Sequence, residues 1–158
     1  YNNTTINTFR TALQLVKAGA NPTKITDYVY NNNNLSGLKL LGKALSCLKI
    51  DISSKISWTF VTREMISETQ SSDEETEGIV DKILSLKKVQ VSIFFRETRE
   101  GYIKISLRSN GNINVDHFAR IFGGGGHPNA AGCHLKGDIS QVSEKVISRL
   151  KKEMNILN

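Results

Sequence analysis

Cysteine, proline and tryptophan are all scarce in these 158 residues, at two, two and one. Each shortage removes a class of answer. Cys47 and Cys133 form no Cys-x-x-Cys pair, so neither a zinc site nor a disulfide framework is expected, and a reducing cytoplasm is the natural compartment. No apolar run approaches the ~20 residues of a membrane span. No basic stretch followed by an apolar one opens the chain as a secretory leader would. The Walker pattern of a nucleotide-binding loop is missing. A dinucleotide fingerprint is excluded too, because it needs a strand before its glycines and a long helix after them. Aromatics are 7% of the chain and scattered, so no extended stacking platform for single strands is expected, and Trp58 is assigned to the core. His117, His127, Cys133 and His134 have no tetrahedral zinc spacing.

What is present fits one soluble globular chain of the α/β (α+β) class, a mixed sheet flanked by helices and preceded by a helical connector. Apolar residues make up 39%, enough for a moderate core. The formal net charge is +6, which favours an anionic partner without specifying it. Tyr1 begins a polar stretch that reads as the inside of a longer protein.

The first 48 residues read as helix and connection. Residues 1–7 are expected to be extended. Phe9, Ala12, Leu13 and Val16 then fall at helical spacing, with Gly19 as the stop. Asn21-Pro22 restarts a helix, as N-cap and first residue, whose buried face is marked by Ile25, Tyr28 and Val29. Asn31 to Asn34 break it as a linker. Leu38, Leu41, Leu45 and Leu48 give a third stripe.

Residues 49–158 read as the main domain. Ile56, Trp58 and Phe60 alternate with Ser57, Thr59 and Val61, a strand pattern. Arg63–Ser67 fits one helical turn, and 68–73 a polar loop. Ser72 and Glu75 fit a capping box for a helix that starts with Glu74, Glu75 and Glu77 and ends near Lys87 and Lys88. The acid cluster is read as matching the helix dipole rather than holding a metal. Val89–Phe95 and Tyr102–Arg108 form a hairpin, with Ile103, Ile105 and Leu107 on one face and Lys104, Ser106 and Arg108 on the other. Asn110-Gly111-Asn112 is turn chemistry. Asn114 caps a helix with Val115, Phe118, Ala119 and Phe122 inward, and capping also accounts for Asp116 and His117. Gly132–Leu135 is strand-like, and His134 there is structural. Asp138 caps a last helix with Val142, Val146, Ile147 and Leu150 inward. Its Lys145, Arg149, Lys151 and Lys152 form a solvated outer face.

The chain is organised around Gly123-Gly124-Gly125-Gly126-His127. Four glycines weaken any regular element, but they leave backbone amides free to approach an anion. A floppy surface loop is the plainer reading of a glycine run; the histidine that follows favours the anion. Arg108 and Ser109, at a strand end nearby, offer a guanidinium fork and a hydroxyl. Glycine amides, His127, Arg108 and Ser109 together make a four-part anion site.

Gly-Gly-Gly-Gly-His-Pro-Asn-Ala-Ala-Gly over 123–132, preceded by Ile-Ser-Leu-Arg-Ser over 105–109, resembles the DHH-associated C-terminal domain of the DHH phosphoesterase superfamily. That superfamily includes nanoRNase/pAp phosphatases, RecJ-type exonucleases and cyclic-di-AMP phosphodiesterases. The resemblance covers about 50–155, and Thr4 to Ala20 is similar to the end of a nanoRNase-type catalytic domain and its connector. It implies domains at 1–48 and 49–158, with the second binding substrate. It implies that Arg108 and Ser109 contact phosphate or base and that Gly123, Gly124, Gly125, Gly126 and His127 hold phosphate, with Asn129 and Ala130 as further candidates. The family's catalytic domain binds two metal ions, usually manganese. The chain has no Asp-His-His and no Asp-x-Asp, so no cofactor is expected on it, and alone it is expected to be inactive. The expected partners are short RNA or DNA or a nucleotide, the DHH domain of the same chain, and a second copy through that domain; no membrane is among them. The alternative is a free-standing nucleic-acid-binding module, since related domains occur in alanyl-tRNA synthetases.

Overall fold

The computed structural model describes residues 4–53, 55–111 and 113–156. Residues 1–3 of the expected extended start, and Asn112 of the expected turn, lie outside them. Two compact units divide at Asn34 and Leu35.

The first unit holds α1 (Ile6–Lys17) and α2 (Pro22–Tyr30). Helix α1 begins inside the stretch expected to be extended, because Thr5 and Thr8 cap each other reciprocally. Gly19 closes α1, with its amide on Val16 and that of Ala20 on Leu15, the Schellman pattern. Asn21 caps α2 through the Lys24 amide at 3.1 Å. The expected buried faces are not buried: Phe9, Leu13, Val16, Ile25, Tyr28 and Val29 are all exposed. A unit of this length is too short to enclose a core.

The second unit is a six-stranded sheet in the order β1-β2-β3-β4-β6-β5. The strands are β1 (Lys49–Asp51), β2 (Ile56–Val61), β3 (Val91–Glu97), β4 (Tyr102–Ser109), β5 (Gly125–His127) and β6 (Ala130–Lys136). Among the described strands only β2 and β3 pair in parallel. Helices α3 (Leu35–Ser46), α4 (Arg63–Thr69), α5 (Ile79–Leu84), α6 (Val115–Ile121) and α7 (Ile139–Ile156) complete it. So α3 lies with the sheet rather than with the connector.

One face of the sheet carries the larger core. Ile56, Val91, Ile93, Phe95, Ile103, Ile105, Leu107, Ala131 and Cys133 pack on Val115, Phe118 and Ala119 of α6 and on Val142, Val146, Ile147 and Leu150 of α7. Burying each large side chain is worth about 1.5–3 kcal/mol, so this face anchors the domain. Asp138 caps α7 through the Ser140 and Gln141 amides. Lys151 departs from the expected solvated face, pairing with Asp51 at 2.5 Å over the ring of a half-buried Trp58.

The opposite face is covered mainly over β2 and β3, by Leu40, Ala44, Ile66, Ile79 and Val80, with α5 reaching the near edge of β4 through Asp81 and Arg108. Leu40 and Ala44 are therefore the buried positions of α3, while Leu38 and Leu45 of the expected stripe are exposed. Hydroxyls on this face are buried but satisfied. Ser57 donates to the Ile83 carbonyl at 3.0 Å, Ser92 to Val80 at 2.9 Å, and Thr59 to Ala44. The single helix expected from Ser72 to Lys88 is broken into a 3-10 turn at Glu74–Thr76 and the short α5. Gly78 separates them at φ +76°, a left-handed value that favours glycine. Glu75 accepts from the Ser72 amide at 2.8 Å and the Ser36 hydroxyl at 2.7 Å, tying the turn to α3.

Candidate functional site

The glycine run divides between two local tasks. Asn114 starts α6 by accepting from the Asp116 and His117 amides; Asp116 and His117 therefore do not cap it themselves. Gly123 ends it at φ +75°. The amides of Gly123 and Gly124 return to the carbonyls of Arg120 at 3.1 Å and Ala119 at 3.0 Å. Gly125–His127 then form β5, paired with β6. The amide of Gly126 points off that ladder and donates to Asp116 Oδ1 at 2.7 Å. The expected loop of free amide donors is thus corrected: α6, β6 and Asp116 engage these amides.

Close packing explains why glycine is needed. A Cβ on Gly124 would lie 2.1 Å from the Gly132 carbonyl oxygen and 2.5 Å from Cys133 Cβ. One on Gly126 would lie 2.5 Å from the Ala130 carbonyl oxygen, and one on Gly132 would lie 2.8 Å from that of Ile105. Gly125 differs, since its Cβ would meet only Asp116 Oδ1 at 3.6 Å.

The turn after β5 is a clasp. Asn129 Nδ2 donates to Ser109 Oγ at 3.1 Å, and to the carbonyls of Ser109 and Gly111 at 3.3 Å each. Ser109 donates in turn to the Ile113 carbonyl at 2.6 Å and is 5% exposed. The Val115 amide donates to Pro128 at 2.8 Å. Ser109 shares its face with Leu107 and the large core, whereas Arg108 faces the other way. The four expected groups therefore do not converge on one anion. Ser109 and Asn129 hold the loops together, and Arg108 and His127 remain at the surface.

Strand register aligns what remains. Arg108 pairs with Ala130 and Ala130 with His127. Directly opposed residues share a face, so these three form a row across β4, β6 and β5. Strands lie about 4.8 Å apart, which sets the outer two about 10 Å apart. Below the row, Ser106 pairs with Gly132, and Lys104 with His134. Lys104, His127 and His134 are exposed, while Ser106, Arg108, Ala130 and Gly132 are half-buried. The result is an open shelf with a floor of small residues and a basic rim.

The shelf runs into a cavity of about 410 Å³ under α5, lined in part by Gly78, Asp81, Phe94, Arg96, Lys104 and Arg108. Arg108 is fixed at two points, with Nε 3.3 Å from Asp81 Oδ1 and Nη1 donating to its own strand at Leu107 O at 3.0 Å. Arg96 is committed to Asp73, which also pairs with Arg63 at 2.5 Å. Burial opposes ionisation of Asp73, but hydrogen bonds from Arg96 and Arg63 outweigh it and hold its pKa below the usual value. The hydrogen bond from Arg120 Nε, at 2.9 Å, does the most to lower the pKa of Asp116, with the Gly126 amide adding to it against desolvation. Among the described residues no three His, Cys, Asp or Glu side chains come together to hold a metal ion. Asp73, Asp81 and Asp116 each face arginine.

Asp81, Arg96 and Asp116 are the residues that sequence reasoning missed. The period-two pattern that placed Lys104 and Arg108 together carries over to Arg96 through its pairing with Lys104. Nothing local in the sequence connects Asp81 to Arg108, or Asp116 to Gly126.

A DHHA1 domain model matches residues 55–155. The chain is 31% identical over 153 residues to the bifunctional oligoribonuclease and PAP phosphatase NrnA of Thermus thermophilus, spanning 96% of this chain and 45% of that protein. It is 29% identical over 152 residues to the protein of the same name from Mycoplasma genitalium, spanning 96% and 46%. Among solved structures, an exopolyphosphatase-related protein from Bacteroides fragilis matches with a TM-score of 0.92 at 32% identity, over 99% of this chain and 46% of that one. The chain spans about half the length of the relatives it matches. With the family model spanning the sheet from β2 onward and most of α7, the chain belongs to the DHHA1 family, the C-terminal domain of the DHH superfamily.

Proposed function

We propose that this chain is the substrate-binding part of a DHH-type phosphoesterase acting on short oligonucleotides or small nucleotides such as pAp. The observation that carries this is the Arg108–Ala130–His127 row on an open face. Arg108 enters it with Nε and Nη1 already engaged, so its guanidinium is presented in one orientation. A planar fork held in this way suits a phosphate oxygen pair. His127 supplies a second donor, about two strand spacings away. Ala130, Gly132 and Gly125 keep the floor low enough for a ligand to lie on the sheet. Ser109, Asn129 and the glycines act one step back, by holding the row in register.

On this reading two manganese ions and the water they activate sit on a DHH domain, and this chain holds the substrate against it. The exposed apolar residues of α1 and α2 suit a covering partner such as that domain, through which a homodimer also forms. A cytoplasmic setting fits the two free thiols, Cys47 and Cys133.

The test is binding of a 5′-phosphorylated dinucleotide to the chain itself, followed by calorimetry. Charge-assisted hydrogen bonds are worth about 1.5–3 kcal/mol, so Arg108→Ala is expected to weaken binding by roughly 10- to 100-fold. Affinity is expected to fall with salt at a slope of about −0.7 per phosphate contacted. Unchanged affinity in both Arg108→Ala and His127→Ala would refute the assignment.

A further inference from the structure

The cavity beside the row has a charge balance that a bare phosphate site does not need. Of its three cations, Arg96 is 11% exposed and bound to Asp73. Lys104 and Arg108 remain, and they share the lining with two carboxylates, Glu77 and Asp81. Val80 and Phe94, both nearly buried, add apolar surface. Ionised carboxylates only accept hydrogen bonds. They therefore oppose phosphate oxygens and suit hydroxyl and amino donors. The volume, about 410 Å³, is within the range of small-molecule sites.

Resting on the reading of the row as a phosphate site, we propose that this cavity takes the sugar and base of the nucleotide whose phosphate lies on Arg108. Glu77 and Asp81 set the chain against polyphosphate and for nucleotides. Asp81 acts twice. One oxygen orients the Arg108 guanidinium, and the side chain, 57% exposed, still presents acceptor capacity to a ribose hydroxyl or a base amino group. Glu77 acts by acceptance and repulsion alone, since the polar partners that hold Arg108 are Asp81 and the Leu107 carbonyl. A chain of phosphates laid from the row into the cavity would bring its second and third charges against both carboxylates. A nucleoside brings donors and an apolar ring instead. This separates two chemistries that the names of similar proteins leave side by side, oligoribonucleotide and polyphosphate.

The experiment compares Kd for a 5′-phosphorylated diadenylate and for tripolyphosphate at equal ionic strength. It uses the wild-type chain, Glu77→Gln, Asp81→Asn and His127→Ala, with a thermal melt of each to confirm folding. The wild type is expected to favour the dinucleotide by at least tenfold. Glu77→Gln is expected to cut that preference several-fold by tightening tripolyphosphate without disturbing Arg108. Asp81→Asn is expected to cut it further by also loosening the dinucleotide. His127→Ala is expected to weaken both ligands alike. A wild type that prefers tripolyphosphate, or a preference unchanged in both carboxylate variants, overturns the cavity assignment and leaves the row intact. A His127→Ala variant that binds both ligands as the wild type does counts against the row instead.

Discussion

At the scale of single residues, the four glycines are not interchangeable. Gly124 and Gly126 are required by backbone and Cβ atoms closer than any Cβ tolerates, whereas Gly125 has room. Overpacking costs about 1–3 kcal/mol, so Gly124→Ala and Gly126→Ala are each expected to lower the thermal midpoint clearly, with Gly125→Ala close to neutral. Three similar midpoints in a melting experiment would contradict this packing account. The run was legible in the sequence as something no ordinary element needs. What was not legible is where its amides go, because the sequence names donors and not their partners. Arg108 and Ser109 show the same limit. Adjacent residues in a strand face opposite ways, so a motif that reads as one unit splits into a surface fork and a buried clasp. The cysteines separate similarly. Burial pushes the Cys133 thiol up to about 11, so little thiolate exists at pH 8. Half-buried Cys47 is expected to be alkylated first at that pH, with Cys133 modified only on unfolding, as mass spectrometry of timed samples would read. Modification of Cys133 ahead of Cys47 in the native protein would count against the core assignment.

At the scale of elements, one carboxylate joins α6 to β5. Asp116 has a lowered pKa in the fold, so its contribution is fully present above the usual carboxylate value of about 4. It fades as pH falls through the lowered value, when the protonated group releases Arg120 and weakens its bond from Gly126. The Gly126 amide proton is therefore expected to move upfield as pH falls below about 4. Asp116→Asn is expected to remove this transition, and a transition that survives in it would assign the titration elsewhere. Strands β2, β3, β4 and β6 and the caps at Asn21, Asn114 and Asp138 were legible because both rest on short-range rules, side-chain period two and local capping chemistry, whereas the three-residue β1 and β5 were not. The segment between β2 and β3 was not. Its acids and lysines fit a helix dipole, yet Gly78 breaks the helix and Glu75 turns to Ser36 of α3. That contact spans 39 positions, and no local pattern announces it. Leu38 and Leu45 of α3 mislead for a related reason. Several leucine stripes satisfy helical spacing, and the sheet selects the one that carries Leu40 and Ala44.

At the scale of the whole molecule, α6 and α7 cover one face of the sheet, the other is left open over β6, β5 and the adjoining part of β4, and function is proposed for the open part. The class of fold was readable from alternating strands between helical stripes. The open shelf was not, because it follows from strand order, and β6 enters the sheet between β4 and the edge strand β5. On the proposed division of labour, the chain alone, given manganese and a dinucleotide, is expected to bind and not to hydrolyse. Release of mononucleotide by purified protein, read by chromatography, would contradict that division of labour. The most direct measurement of the central claim is a titration of the isotopically labelled chain with a 5′-phosphorylated dinucleotide, followed by amide chemical shifts. The account predicts the largest shifts at Arg108, His127, Ala130 and Gly132. Shifts centred instead on Trp58 and α7, across the sheet, would contradict it, as would a spectrum that does not change.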